Sequence, residues 1–425
     1  MLLLQTIGCV FIGMGIVALV QFDILATILH PEVESPLSTR FQHLTWRILK
    51  HIERAVGRAG APARVLNWGL PLMVAGLIGL WLLLLTVGFA VLYYPWISSS
   101  SSFVVPTSSH SSAIDAFYYS GSTLTTLGAA DIQPVTWPLR LLAMLEAATG
   151  AVTTAFGVAY VLMVYPALSR IRALAIVLDA EVAGQANAVP LLRRYLVENQ
   201  AWSAELAQRL RELAVELLAI TEVHETQPVI YYAHPQRVQH SFVRVLVLAQ
   251  SLVGLLRYGL SPDRHRELVQ NPQLLLLEQT LHYSLRRLNT SLHIQAIERI
   301  DDGAARARLT IDYQTLCATL DQLGLTSAGT MATQPVPVLV ETETPREASL
   351  SDTPETRSKH PLKSQPAALT ADDPALDRVS DSALAAYRSF REATDEYIDA
   401  YAAASGYPIM AVRADYATTW WKSGR

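Results

Sequence analysis

Seven consecutive residues, Thr125-Thr126-Leu127-Gly128-Ala129-Ala130-Asp131, offer a chemistry made of oxygen atoms. Two hydroxyls, a run of backbone carbonyls and one carboxylate suit a partly dehydrated cation. Stacked carbonyls can replace its water shell, and a carboxylate at the mouth raises the local cation concentration. Ser112 to Thr125 has the composition of a short helix, and the C-terminal end of a helix carries about half a negative charge. Pro134 and Pro138 then break the chain before a long apolar helix. Non-helical backbone at membrane depth is tolerated only where it lines water or is buried in protein. This chemistry therefore needs flanking spans to hold it.

The flanking sequence supplies them. Gly69 to about Tyr94 contains no charge, with Trp81 at mid-span and Tyr93, Tyr94 and Trp96 placed like an interfacial belt. Leu141 to about Leu168 is a second span with one charge inside it, Glu146. An ionisable group inside a span is a functional candidate, and a brace that hydrogen-bonds the back of the pore loop is the favoured reading. Gly150 and Gly157 are candidate flexing points of this inner helix. With Thr149, Thr153 and Thr154 they make a small, polar face that suits either an aqueous lining or ordinary small-residue helix packing.

Leu2 to about Leu25 is a further apolar stretch, interrupted by Gln5, Thr6, Gln21 and Asp23. It has no basic start and no small-x-small cleavage site, so a retained transmembrane helix is expected rather than a signal peptide. Between it and the first uninterrupted span, Pro31 to Asn67 carries Arg40, Arg47, Lys50, Arg54, Arg58 and Arg64. Leu44, Ile48, His51, Ile52 and Ala55 fall at helical spacing among them. That pattern fits an amphipathic helix on the membrane surface, the alternative being a plain solvated helix. The basic loop and Arg170 with Arg172 set the expected orientation, with the N-terminus outside and the C-terminal half cytoplasmic, in a bacterial inner membrane.

Ala173 to about Leu325 reads as helices. Glu205 to Leu218 is strongly periodic, and Phe242 to Leu260 is apolar enough to suggest a fourth span. Arg244, Gln250 and Arg257 inside it favour a buried bundle helix. From Thr326 to about Ala375 the composition shifts to Thr, Pro, Ser, Glu and Ala, as in a flexible linker. Val379 to Ala404 reads as one more helix, with Tyr387, Phe390, Tyr397, Ile398 and Tyr401 on one face and Thr394 as its polar member. A lone amphipathic helix needs a partner surface, here the helical domain or a neighbouring subunit. The closing Trp420-Trp421 pair suits either the domain or lipid.

Composition excludes other classes. The net charge of -4 gives no electrostatic case for nucleic acid. Cys9 and Cys317 are too far apart in sequence for a cysteine cluster. His224, His234, His240 and His265 do not fall at metal-ligand spacing. No phosphate-binding glycine loop, cofactor fingerprint or nucleophile–base pair is present, so neither a cofactor nor an enzyme is expected.

Leu124 to Ile132, with Phe117-Tyr118-Tyr119-Ser120 before it and Glu146-Ala147 and Gly150 after it, resembles the pore loop of the bacterial two-transmembrane potassium channels. The resemblance covers roughly Gly69 to Tyr165. It implies a homotetramer in the lipid bilayer, a filter at Thr125 to Asp131, passage of potassium or sodium, and an inner-helix gate around Glu146, Gly150, Thr153 and Gly157. Two departures from the family's Thr-Val-Gly-Tyr-Gly-Asp pattern matter most. Ala129 stands where the family has an aromatic brace, and Ala130 where it has a second glycine. An Ala in a left-handed backbone costs about 1 kcal/mol or more, so a wider or softer filter is expected. The expected whole is an α-helical membrane protein in six parts. These are an N-terminal span (1–30), a basic segment (31–67), a pore domain (68–168), a cytoplasmic helical domain (169–325), a linker (326–375) and a C-terminal helix with its tail (376–425). A channel-like scaffold that no longer conducts is the alternative.

Overall fold

The computed structural model describes residues 2–29, 35–58, 65–97, 99, 101–105, 112–129, 131–198, 204–235, 237–263, 265–291, 303–323, 325, 374–407 and 409–413. The linker expected at 326–375 and the Trp420-Trp421 pair lie almost wholly outside these residues, as does Ala130.

Helix α1 (Leu2–Leu29) runs along α3 (Gly69–Ile97). Their close approach explains two glycines. A Cβ on Gly13 would come within 2.7 Å of the Gly88 carbonyl oxygen, and one on Gly88 within 2.9 Å of Val17. In lipid, where apolar side chains gain nothing by leaving solvent, such backbone proximity is what drives helices together.

The basic segment forms α2 (Pro36–Arg58). Its start is fastened by Asp23 of α1, which is fully buried. Asp23 Oδ1 accepts the backbone N–H groups of Leu37 and Ser38 at 2.8 and 3.2 Å. Oδ2 accepts the Ser38 hydroxyl and, at 2.9 Å, the Trp81 indole N–H from α3. One carboxylate thus supplies the N-terminal cap of α2, where anions are favoured, and ties three helices. Leu44, Ile48 and Ile52 form an exposed apolar stripe on α2, with Arg40, Arg47 and Arg54 also exposed. Trp46 and Leu49 on another face are buried.

Beyond α3, strand β1 (Phe103–Val104) pairs antiparallel with β2 (Gln133–Pro134), Phe103 opposite Pro134. Between the strands lies α4 (Ser112–Leu124), one residue shorter than the sequence suggested. Tyr93 is not part of an interfacial belt. It is fully buried and meets Phe103 and Tyr119 edge-on at 5.9 and 5.0 Å, locking hairpin and α4 onto α3.

Helix α5 (Trp137–Glu181) continues without interruption past position 168 and carries the pore unit into the second half of the chain. That half comprises α6 (Val189–Leu192), α7 (Ala204–Thr226), α8 (Phe242–Val253), α9 (Arg266–Val269), α10 (Pro272–Ser291), α11 (Gly303–Gln322), α12 (Pro374–Ser405) and α13 (Ile409–Val412). A π-helical turn, Gly254–Gly259, extends α8. Four helical stretches have the length and apolarity to cross a membrane, but the Phe242–Gly259 window is 94% buried inside the protein. It is a bundle helix, and Arg244, Gln250 and Arg257 each find partners inside the protein. The Arg244 guanidinium donates to the carbonyls of Val412 at 2.7 Å and Gly184 at 3.1 Å. Gln250 donates to Thr394 and Asp395, and Arg257 to the Val269 carbonyl at 2.8 Å.

Helix α12 docks on the chain's own bundle, against α8, α10 and α11. Tyr387, Phe390, Ile398 and Tyr401 are buried there, with Thr394 bonded to Gln250 at 2.6 Å. Its C-terminal end reaches α2, where the Trp46 indole and the Lys50 ammonium both donate to the Ala404 carbonyl. A cation is favoured at that end of a helix dipole.

Candidate functional site: the pore loop and its supports

Helix α4 packs against α3 and α5 and ends in the expected loop. The loop is built by backbone hydrogen bonds to the last turn of α4. The N–H groups of Thr125, Thr126 and Gly128 donate to the carbonyls of Gly121, Thr123 and Ser122 at 3.0–3.1 Å. The Thr125 hydroxyl also donates to the Gly121 carbonyl at 2.6 Å. Satisfying these carbonyls requires two residues at positive φ, Gly128 at 73° and Thr126 at 60°. Glycine adopts that region without cost. A β-branched threonine does not, so strain is concentrated at one residue of the loop. Sequence reasoning placed the strain at Ala130 and did not anticipate Thr126.

Thr125, Thr126, Leu127 and Gly128 are exposed along one side of the single chain, Leu127 to 82%. Ala129 is half-buried. Asp131 is exposed and accepts the Tyr118 hydroxyl at 3.3 Å. The described part of the loop is therefore open to space that the described residues do not fill.

Behind the loop, Glu146 of α5 is fully buried. The Ser120 hydroxyl is hydrogen-bonded to its Oε1 and lies 2.9 Å from the Thr86 carbonyl of α3, its one proton shared between the two. Ser120 thereby joins α4 to both flanking helices, and Glu146 grips the pore helix one turn before the loop rather than the loop itself.

Glu146, Gly150, Thr153 and Gly157 share the buried face of α5. Gly150 is where α5 meets α4. Any Cβ there would run into the carbonyl oxygen of Leu124, the last residue of the pore helix. At Gly157 a Cβ would touch Ile78 of α3 at 3.3 Å. Of the two readings of this face, packing accounts for Gly150, Thr153 and Gly157, while Thr154 is exposed on another side. The signal for the Gly150 contact, a small residue one turn after a buried acid, was present in the sequence but had no visible partner.

The comparisons agree with this geometry. Residues 76–165 match a family model described as "Ion channel". Over 267 residues the chain is 24% identical to the "Uncharacterized membrane protein YdjJ" of Bacillus subtilis (strain 168), an alignment covering 61% of this chain and 72% of that protein. No solved structure matches. Helix α4 and its loop, set between the spans α3 and α5, lie inside the matched segment, so residues 76–165 form an ion-channel domain carried by a multi-pass helical membrane protein.

Proposed function

We propose that four copies of this chain assemble around a common axis to form a cation channel. The observation that carries the proposal is the exposed run Thr125 to Gly128 at the C-terminal end of α4. A single chain leaves these oxygens facing open space, and one loop per chain cannot enclose a pore, so cyclic symmetry is the economical way to close it. In the assembly, the carbonyls from Thr126 to Ala130 and the Thr126 hydroxyl replace part of the cation's water shell. Asp131 concentrates cations at the outer mouth. Glu146 and Gly150 set the position of α4 relative to α5. Potassium and sodium are both candidate permeant ions, because Ala129 offers no aromatic brace. The basic loop favours a cytoplasmic position for the bundle, in a bacterial inner membrane.

Replacing Gly128 by Asp tests the pore assignment. Residue 128 sits at φ 73° with nothing near its Cβ position, so the side chain would project a carboxylate from a strained backbone into the conduction path. Gly128→Asp is expected to abolish cation flux from purified, reconstituted protein while the oligomer persists. Retained flux would refute the assignment. The second reading, a channel-shaped scaffold that does not conduct, is favoured by Ala129 and predicts no flux from the parent protein either.

A further inference from the structure

A cleft lies where the pore unit joins the bundle, walled by Arg172 of α5, Tyr231, His240, Tyr401 of α12 and Tyr407. It has room for a group somewhat larger than one water molecule. Two observations set it apart. The hydroxyls of Tyr231 and Tyr407 are buried without a hydrogen-bond partner among the described residues. The two residues are only 7% and 5% exposed. A buried donor left unpaired costs about 1–3 kcal/mol, and two in the lining of one small cleft call for an occupant. Second, the lining contains no carboxylate, and Arg172, exposed at the cleft, forms no ion pair among the described residues. Tyr407 and His240 both lie within its electrostatic reach.

We propose that this cleft binds a phosphoryl group, held by the Arg172 guanidinium and the Tyr231 and Tyr407 hydroxyls, with His240 at its edge. A guanidinium beside two hydroxyl donors, with no carboxylate in the lining, is a strong arrangement for phosphate. The site lies a few residues beyond Tyr165, where the channel-family match ends, so the phosphoryl group is either a lipid headgroup or a small phosphate from solution. Occupancy would bridge α5 to the end of α12.

The test is thermal unfolding of the full-length protein in two arms. One arm adds inorganic phosphate to detergent-solubilised protein, with chloride as the ionic-strength control. The other compares nanodiscs of phosphatidylcholine with and without phosphatidic acid. A rise in melting temperature in either arm is expected, and the responding arm identifies the source. The rise should shrink in Arg172→Gln and vanish in the Tyr231→Phe/Tyr407→Phe double variant, with affinity falling about tenfold for each strong hydrogen bond removed. The double variant keeps both rings and sheds two orphan hydroxyls, so without ligand it should unfold no earlier than the parent. No rise in either arm, or a rise that all variants keep, would overturn the proposal. Neither readout depends on conduction.

Discussion

The pore unit and the bundle are both built of helices but treat their polar groups in opposite ways. The bundle closes on itself. Arg244, Gln250, Arg257 and Glu278 are buried there with partners from other helices, and Asp395 is clasped by Arg391, Arg413 and Gln250. The pore unit stays open. Met144, Leu145, Val152, Val158 and Leu162 of α5 and Phe11, Ile12 and Met14 of α1 are exposed, and so is the loop Thr125 to Gly128. Two of its buried polar contacts, at Asp23 and at Ser120 with Glu146, each join three helices. The difference teaches that the bundle partners its buried charges within the chain, while the pore unit leaves apolar helix faces and a polar loop uncovered.

The largest effect should come from the tightest point of the pore unit. Gly150→Val places a branched side chain where the Leu124 carbonyl stands, so the pore helix must shift. Cation flux is expected to be lost and the oligomer weakened, read by reconstitution and size-exclusion chromatography. An unaffected channel would show that α4 and α5 do not meet as described.

In the bundle, Arg257→Leu leaves Glu278 without its cation, 3.4 Å away and only 4% exposed at its side chain. Removing one member of a buried pair costs about 3–5 kcal/mol. Chemical denaturation should show that loss, with the spans remaining helical.

Acid should act more gently, and on the bundle. His224 donates through Nδ1 to the Ile220 carbonyl at 2.8 Å and accepts the Tyr401 hydroxyl at Nε2, 3.1 Å away. Burial pushes its pKa down to about 4, against an opposing hydrogen bond to Ile220. The unfolded chain therefore binds a proton near pH 6.5 that the folded chain refuses. Stability should fall as pH drops from about 6.5 to about 4, by up to on the order of 3 kcal/mol. His224→Gln should flatten that slope. An unchanged slope would assign it to another imidazole that burial also holds low, such as His282 or His234, and not to Asp395. Burial raises that carboxyl, but Arg413 and Arg391 outweigh it and hold it below the usual range, so its contribution is lost only as pH falls below about 4.

Much of the fold was legible because its signals are local. Uninterrupted apolar runs marked α1, α3 and α5, and Pro134 and Pro138 marked the break after the loop. Three internal polar residues marked Phe242–Gly259 as a bundle helix. The aromatic stripe of α12 was legible too, but its partners were not, since they lie on α8, α10 and α2 far away in sequence. Asp23 read as a blemish in a span because its partners are 14, 15 and 58 residues away. The loop after α4 was expected from its place between two spans and from its resemblance to a pore loop, and the chain does turn there. The strain at Thr126 was hidden, because φ is set by which carbonyls the turn must satisfy, and no residue type declares that in advance.

The most direct test of the central claim is cation flux through liposomes containing the purified protein under opposed potassium and sodium gradients. The account predicts passive cation flux that Gly128→Asp abolishes, with weaker discrimination between the two ions than a braced filter would give. No flux from a folded, fourfold oligomer, even after loosening of the inner helix, would contradict it and leave the non-conducting scaffold as the better description.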